Sequence, residues 1–248
     1  MRVQAEADGD VFLPSPAPDG PVDYVLICME PSLGPWAKSP VDAQSKIKAG
    51  FRNFLSSLED FIVHFCARRY LCDAEERYHI TDLAKGAMLV EHAGRARVER
   101  YDRWYAFLQE EVALISRPAV GIVAVGNVVA EYLERRAFAR SFTRVIHYSS
   151  QAAAARKAAI VGHKLEFAAF RNTVSLRDVL RHAEATLVRA GAPSEYRAAA
   201  LSKLADNNLS DSRRQLMFNY KTAFESIKLR RAESQETVAN EAMELPGR

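Results

Sequence analysis

The chain has 248 residues, 48% of them apolar, and a net charge of +3. This length allows one large or two small domains with a sizeable buried core. Three scattered cysteines exclude a four-thiolate iron–sulfur site, and no apolar run reaches the roughly 20 residues of a membrane span. The mildly basic charge fits a nucleic-acid partner without requiring one.

The cysteines and the N-terminus together indicate a compartment. Cys28, Cys66 and Cys72 show no paired spacing, and the first residues do not have the pattern of a secretory signal. We therefore expect reduced thiols in a cytoplasmic protein.

The predicted elements alternate between strands and helices from residue 22 onward. An arm rich in Pro, Asp and Gly precedes them over residues 1–21. Apolar runs that end in turn residues indicate strands, and apolar residues at helical spacing indicate helices. In chain order we expect strand 22–29, helix 43–67, strand 78–83, helix 98–116, strand 120–125, helix 128–136, strand 142–146 and an Ala-rich helix that Ser149 or Ser150 caps.

This alternation favours βα units, a parallel sheet and right-handed crossovers. The predicted fold class is α/β: a three-layer αβα sandwich with a short, mainly parallel four-stranded sheet and extra C-terminal helices. We expect an α/β core over 22–175 and a helical extension over 176–231 that either pads the sheet or forms a separate lobe. The polar, acidic residues 232–248 are expected to be disordered.

Four polar side chains follow the four predicted strands. They are Glu30, Asp82, Asn127 and His147. In an open parallel sheet, ligands bind just outside the carboxyl ends of the strands. The sequence therefore predicts that these side chains converge on one functional cleft.

The same four segments, in the same order, resemble the motifs of the uracil-DNA glycosylase superfamily. The first motif reads Cys28-Met29-Glu30-Pro31-Ser32, with Gly34, Pro35 and Trp36 after it. The others are Ile80-Thr81-Asp82-Leu83, Ala124-Val125-Gly126-Asn127 and His147-Tyr148-Ser149-Ser150, and the resemblance covers roughly residues 22 to 160. Three positions depart from the family pattern: Glu30 replaces Asp or Asn, Asp82 replaces the base-reading Asn, and Tyr148 and Ser150 replace two prolines.

The resemblance implies a DNA glycosylase, which flips a base out of the duplex and reads its edge in a pocket. Glu30 then stabilises the sugar cation and orients water, and His147 donates to the base O2, where charge develops. The resemblance also implies that Asp82, Trp36 and Asn127 contact the base, Trp36 by stacking. It implies that Tyr148 and Gln151 insert into the duplex as a wedge. Ser149 and Ser150 of the same motif would then contact the DNA, and Arg156 would contact a phosphate.

Asp82 points to the substrate. An ionised carboxylate only accepts hydrogen bonds, so it repels uracil O4 but accepts from the cytosine N4 amino group. Excision of ordinary cytosine would destroy the cell's own DNA. We therefore expect a 5-substituted or glucosylated cytosine, as in some phage genomes, and hence a role in defence against phage.

Other interpretations remain open at this stage. The alternatives are a conventional uracil-DNA glycosylase of base-excision repair and a catalytically silent nucleic-acid- or nucleotide-binding protein. Each residue also has a purely structural interpretation: Glu30 as a solvated loop carboxylate, Asp82 as a turn cap, His147 as a satisfied strand-edge histidine, Trp36 as a core aromatic, Asn127 as a helix cap, and Arg156 as part of a solvated helix face. We expect a monomer with no membrane association. We also expect no metal and no cofactor, because the histidines show no metal-ligand spacing and no Gly-rich phosphate loop is present.

Overall fold

The computed structural model describes residues 1–92 and 94–244, and it confirms the predicted fold class. A central sheet holds four parallel strands in the spatial order β3-β2-β5-β6, and two short strands pair antiparallel beside it. The strands are β1 Val11–Phe12, β2 Val22–Cys28, β3 Tyr78–Asp82, β4 Gly86–Ala87, β5 Ser116–Val125 and β6 Phe142–Val145.

Helices cover both faces of the central sheet. They are α1 Arg2–Ala7, α2 Pro40–Lys48, α3 Leu58–Cys66, α4 Arg97–Ile115, α5 Asn127–Arg135, α6 Ala153–Ile160, α7 Lys164–Phe170, α8 Leu176–Arg189, α9 Ser194–Ala205 and α10 Asp211–Glu244. Helix α3 continues into a π-helical turn, Ala67–Leu71, and short 3₁₀ turns lie at Gly34–Trp36, Val90–His92, Ser150–Ala152 and Val161–His163.

Every residue of β2 is buried, which is typical of a parallel strand covered on both faces. Its side chains alternate between two cores, as the pleat requires. Tyr24 and Leu26 pack in one core with α3, α8 and α10, whereas Val25 and Ile27 pack in the other with α4 and α5. These two cores and the sheet between them make the three layers.

The register of the sheet fixes where the strands end. Cys28 of β2 pairs with Asp82 of β3, and Val125 of β5 pairs with Val145 of β6. The carboxyl ends of all four strands therefore lie along one edge, where the predicted site residues follow them.

The helix predicted over 43–67 is two helices, so that prediction was wrong. Gly50 and Phe54 both have positive φ, 105° and 59°, in the segment between them. Ser57 then starts α3 with a capping box, in which its hydroxyl accepts from the Asp60 backbone N–H and the Asp60 carboxylate accepts from the Ser57 N–H. The apolar spacing continues through the break, which explains why the pattern suggested one helix.

The N-terminal segment was predicted to be a flexible arm over 1–21, but most of it packs on the core. Ala5 and Leu13 are buried. Asp8 accepts hydrogen bonds from the Trp104 indole and the Arg103 guanidinium of α4. Its apolar residues are too few to form a helical or strand pattern in the sequence, although β1 within this segment pairs with β4.

The C-terminal helices complete one layer of the sandwich and do not form a separate lobe. The apolar face of α10 includes Leu216, Tyr220 and Phe224. It is buried in the core that also contains Tyr24 and Leu26 of the central sheet. Residues 232–248 were predicted to be disordered, but α10 continues through this tail as far as Glu244. Once a helix has been nucleated and packed in a core, each further residue adds a hydrogen bond, so the helix extends into a polar sequence at little cost. Residues 245–248 lie outside the described part of the chain.

Across residues 1–92 and 94–244, no helix has both the length and the apolar character needed to cross a bilayer. The three cysteines are buried and unpaired.

Candidate active site at the carboxyl edge of the sheet

The predicted site residues follow the strands in spatial order. Asp82 ends β3, Glu30 follows β2 by two residues, Asn127 follows β5 by two, and His147 follows β6 by two. Adjacent strands lie about 4.8 Å apart, so the backbones at the two ends of this row are about 14 Å apart.

Glu30 is a buried carboxylate held from one side. Its side chain is only 3% exposed, and its Oε1 accepts from Arg97 Nε at 2.9 Å. The Tyr101 hydroxyl donates to Oε2. Burial raises the pKa of Glu30, and the hydrogen bonds from Tyr101 and Arg97 oppose that rise. Both partners lie on α4, so this helix sets the position of Glu30.

Asp82 is also buried, with 3% of its surface exposed. Burial raises its pKa to about 8, against the Lys85 charge and the hydrogen bond from Asn53, and the nearby Glu30 charge adds to the rise. At neutral pH the carboxyl is therefore largely protonated. The sequence-based prediction of an ionised, acceptor-only Asp82 needs correction: the group is buried too deeply to ionise readily, and in the neutral form it both donates and accepts.

Asn53 fixes how that carboxyl is presented. The Phe54 backbone N–H donates to Asn53 Oδ1 at 3.1 Å, which turns the Asn53 amide nitrogen toward Asp82. Asn53 Nδ2 then donates to Asp82 Oδ2 at 2.5 Å. Because Oδ2 is the acceptor in this pair, the proton of neutral Asp82 belongs on Oδ1. The carboxyl thus has a defined donor side and a defined acceptor side.

Lys85 does not neutralise Asp82 by direct contact with its carboxylate. Its amine contacts Glu111 Oε2 at 2.8 Å and donates to the Asp82 backbone carbonyl. Glu111 also accepts from Thr81 and lies 3.2 Å from His79 Nε2. Burial alone would raise the pKa of Glu111, but the His79 and Lys85 contacts outweigh it and lower that pKa to about 2. This cluster stabilises the strand below the site, and the Lys85 amine pairs with Glu111 and not with the Asp82 carboxyl.

His147 is neutral and has a defined tautomer. The Ser149 backbone N–H donates to His147 Nδ1 at 3.0 Å, so Nδ1 carries no proton and Nε2 carries the only one. Burial and the Arg156 charge lower the pKa of His147 to about 4. The ring packs against Gly126, where an added Cβ would lie 3.1 Å from His147 Cβ. His147 is thus a neutral, oriented N–H donor, as its predicted role requires.

Tyr148 does not project as a wedge, which contradicts its predicted role. Its ring stacks on His147 with centroids 4.7 Å apart and planes 13° apart, and it packs against the core that contains Cys28. Burial raises the pKa of its hydroxyl well above the usual value, with Cys28, Asp60 and Asp82 close enough to add to the effect. The phenol is therefore turned inward, because the apolar core below the strand ends accepts it.

Arg156 is buried, 4% exposed, and is not the surface cation expected to meet phosphate. Its guanidinium donates to the carbonyls of Tyr148 and Ser149 at 3.1 and 2.8 Å and to Ser212 Oγ at 3.2 Å. It therefore holds the loop after β6 against α10. Gln151 is exposed on the short 3₁₀ turn beside this loop.

An open groove of about 620 Å³ begins at the same loop. Its lining includes Ser149 and Ser150 from the loop, Arg156, and Ser210, Ser212 and Arg213 from the start of α10. It lies outside the predicted motifs except for that loop.

Trp36 and Asn127, two predicted base contacts, lie in surroundings that favour structural roles. One face of the Trp36 ring is taken by Phe51, with centroids 4.2 Å apart, and its indole N–H donates to the Ser32 carbonyl at 2.7 Å. This supports the core-aromatic interpretation. Asn127 is exposed at the first position of α5, and Gly126, with φ 98°, occupies the cap position expected for Asn127.

Comparison with known proteins does not extend this picture: no family model, no curated protein and no solved structure matches the chain. In the described residues, no group of three or more His, Cys, Asp or Glu side chains is placed to hold a metal ion. Any functional conclusion therefore depends on the geometry of the site itself.

The arrangement combines three chemical capacities at one edge. Glu30 supplies a buried carboxylate, Asp82 a proton and a hydrogen-bonding edge, and His147 a neutral donor. Sequence reasoning missed Asn53, Arg97 and Tyr101, which position the first two groups. None of these three lies in a motif or at a strand end, so only the tertiary fold reveals them.

Proposed function

We propose that this protein is a monofunctional DNA glycosylase that excises a modified cytosine and leaves an abasic site. The observation that carries the proposal is the row of Glu30, neutral Asp82 and Nε2-protonated His147 along one sheet edge. Groups aimed at developing charge in a water-poor site are the usual source of catalysis in bond cleavage of this kind.

Asp82 reads and activates the base in this mechanism. Its Oδ1–H donates to cytosine N3, and its Oδ2 accepts from the N4 amino group. As the C1′–N1 bond breaks, the electron pair of that bond goes to the base and the Asp82 proton passes to N3. The raised pKa of Asp82 suits this step, since a general acid works best when its pKa lies near the working pH.

His147 and Glu30 act on the two other charges of the reaction. The Nε2–H of His147 donates to the base O2, where negative charge grows. Glu30 faces the sugar, stabilises the cation at C1′, orients the attacking water and accepts its proton. Arg97 and Tyr101 already donate to Glu30, so these two contacts support its carboxylate form against the effect of burial and hold it in place during the reaction.

One observation favours a second candidate, a uracil-DNA glycosylase. Neutral Asp82 offers a donor and an acceptor, as an Asn would, and can therefore donate to uracil O4 and accept from its N3–H. The two candidates differ in which oxygen of Asp82 faces the base position 4, and Asn53 determines that orientation.

A panel of matched oligonucleotides separates the candidates. Single-turnover formation of abasic sites is measured with uracil, cytosine, 5-hydroxymethylcytosine and glucosylated 5-hydroxymethylcytosine. We expect release of a modified cytosine and no release of cytosine itself. Efficient uracil release with none of the cytosines cut would favour the second candidate, and tight DNA binding without any release would favour a silent binding protein.

A further inference from the structure

Strand β3 lies at one end of the central sheet, so one side of its backbone has no neighbouring strand among the described residues. The ladder with β2 turns the N–H and C=O groups of His79 and Thr81 toward β2. The groups of Tyr78 and Ile80 therefore face outward, and they have no backbone partner within the described part of the chain. Ile80 is only 3% exposed, and native proteins rarely leave buried backbone groups unpaired.

A proline-rich segment runs past this edge without pairing with it. Residues 14–18, here called the strap, read Pro-Ser-Pro-Ala-Pro. They continue from β1, which runs antiparallel to β4, and the Leu13 N–H just before them donates to the Lys85 carbonyl at 2.9 Å. Pro16 of the strap then lines the same cavity as Ile80. The strap therefore follows the course of an antiparallel neighbour of β3, but its three alternating prolines have no N–H to donate.

The strap is held weakly where it lies. Its backbone makes one backbone hydrogen bond to the described residues, from the Asn53 N–H to the Pro14 carbonyl at 3.0 Å. Ser15 Oγ is buried and has no partner among the same residues. A buried polar atom without a hydrogen bond is destabilising, so the strap matches the site that it covers poorly.

Unfilled space lies on two sides of the strap. One cavity, of about 60 Å³, is lined by strap residues together with Phe54 and Ile80 and reaches α8. The other, of about 180 Å³, is lined by strap residues together with Ile115 at the end of α4, and by Lys85 and Glu111, which already pair with each other. Both surfaces are mainly apolar, and α8 and α4 belong to opposite layers of the sandwich. Successive side chains of an extended strand point to opposite faces, so apolar side chains larger than those of the strap would fill both cavities.

We propose that the open edge of β3 binds an extended peptide segment of a partner protein, which displaces the strap. The segment runs antiparallel to β3, and its backbone pairs with the outward N–H and C=O groups of Tyr78 and Ile80. It carries bulky apolar residues at successive positions, which fill the two cavities, and no proline where it faces β3. Addition of a strand to a free sheet edge is a recurring mode of peptide recognition.

The strap guards the same edge while no partner is bound. Proline on or over an edge strand prevents that edge from pairing with a second copy of the chain. The proposal does not rest on the proposed function, because neither the edge nor the two cavities include Glu30 or His147.

Two fluorescent peptides test the proposal with the full chain. Both repeat residues 11–19 with leucine at position 15, and both end in three added lysines for solubility. One keeps the three prolines, and the other has valine in their place, so the second peptide alone offers backbone donors at those positions. Binding is followed by anisotropy below the concentration at which either peptide self-associates. Exchange of individual backbone amides is measured by NMR with and without each peptide.

We expect the valine peptide to bind at least about tenfold more tightly than the proline peptide, because one or two added hydrogen bonds contribute about that factor. It should also slow exchange of the Ile80 amide by a factor of at least about ten, and leave exchange of the Thr81 amide, which already pairs with β2, unchanged.

Equal affinities of the two peptides, or binding that leaves exchange of the Ile80 amide unchanged, would overturn the proposal. A wild-type chain that dimerises on its own and thereby protects the Ile80 amide would also overturn it, since the edge would then pair with a second copy and not with a partner peptide.

Discussion

His147 makes a direct test possible at the scale of one residue. Its lowered pKa and the Ser149 N–H bond make it a neutral Nε2–H donor throughout the physiological range. Removal of one such donor commonly costs a factor of about 10² to 10³ in rate. We expect His147→Ala to lose that much activity in single-turnover base release, whereas His163→Ala, at an exposed histidine, should change little. Near-normal turnover of His147→Ala would mean that the donor role is assigned wrongly.

Asp82 couples the site to stability. Its folded-state pKa of about 8 lies above the ordinary 3.8, so the native state holds a proton that the unfolded chain releases. The stability contributed by this proton is complete below pH 3.8 and is lost as pH rises toward 8. Asp82→Asn replaces the carboxyl with an amide that does not titrate, so this loss of stability with rising pH does not occur. We expect the substitution to raise the free energy of unfolding at neutral pH by an amount on the order of a few kcal/mol, and the gain should vanish near pH 4.

Asp178 provides a control of opposite sign for this measurement. Hydrogen bonds from Ser175 lower the pKa of Asp178 in the capping box of α8, so its contribution is present above the ordinary pKa and is lost in acid. Asp178→Asn should therefore destabilise the protein at neutral pH. Urea unfolding of both variants across pH 4 to 8 gives the comparison. A loss of stability in Asp82→Asn at neutral pH would show that the native carboxyl is ionised.

At the scale of elements, the turn from β5 into α5 positions His147. Gly126 has φ 98°, and a Cβ there would approach His147 Cβ to 3.1 Å. We expect Gly126→Ala to cost about 1–3 kcal/mol in unfolding free energy, and to lower the rate of base release by displacing the imidazole. Gly162→Ala is the control, because its φ is not positive and nothing lies within 4 Å of an added Cβ. Equal rates for the two variants would show that the turn does not hold His147.

The elements also show what a sequence can predict and what it cannot. The four strands and their carboxyl-edge residues follow from apolar runs ending in polar residues, because a buried parallel strand leaves a strong local pattern. The break between α2 and α3 depends on two positive φ values, at Gly50 and Phe54, and apolar spacing does not register them. Asn53 lies in that break, so its contact with Asp82 was hidden with it.

The protonation state of Asp82 could not be predicted from the sequence either, because it depends on tertiary contacts. The pKa of Asp82 depends on burial, on Asn53 and on where Lys85 directs its amine, and all three are tertiary features. Tyr148 points inward because its ring packs on the core, and Arg156 because its guanidinium donates to two backbone carbonyls. The polar sequence around both residues predicted exposed side chains.

At the scale of the whole molecule, α10 is an integral layer of the fold. Phe224 is fully buried between α10 and the rest of the core. We expect Phe224→Ala to destabilise the protein by about 3–5 kcal/mol. Urea unfolding measures this change, and a near-neutral Phe224→Ala would show that α10 packs only loosely.

The central claim is that Glu30 acts on a sugar cation in a base-excision site. The most direct measurement is single-turnover release of glucosylated 5-hydroxymethylcytosine by wild type, Glu30→Gln and Glu110→Gln. Glu110 is exposed on α4, the helix that holds Glu30. We predict release by wild type and Glu110→Gln, and a rate lower by a factor of at least about 10² for Glu30→Gln, with all three proteins folded. Equal rates for the two variants would contradict the account.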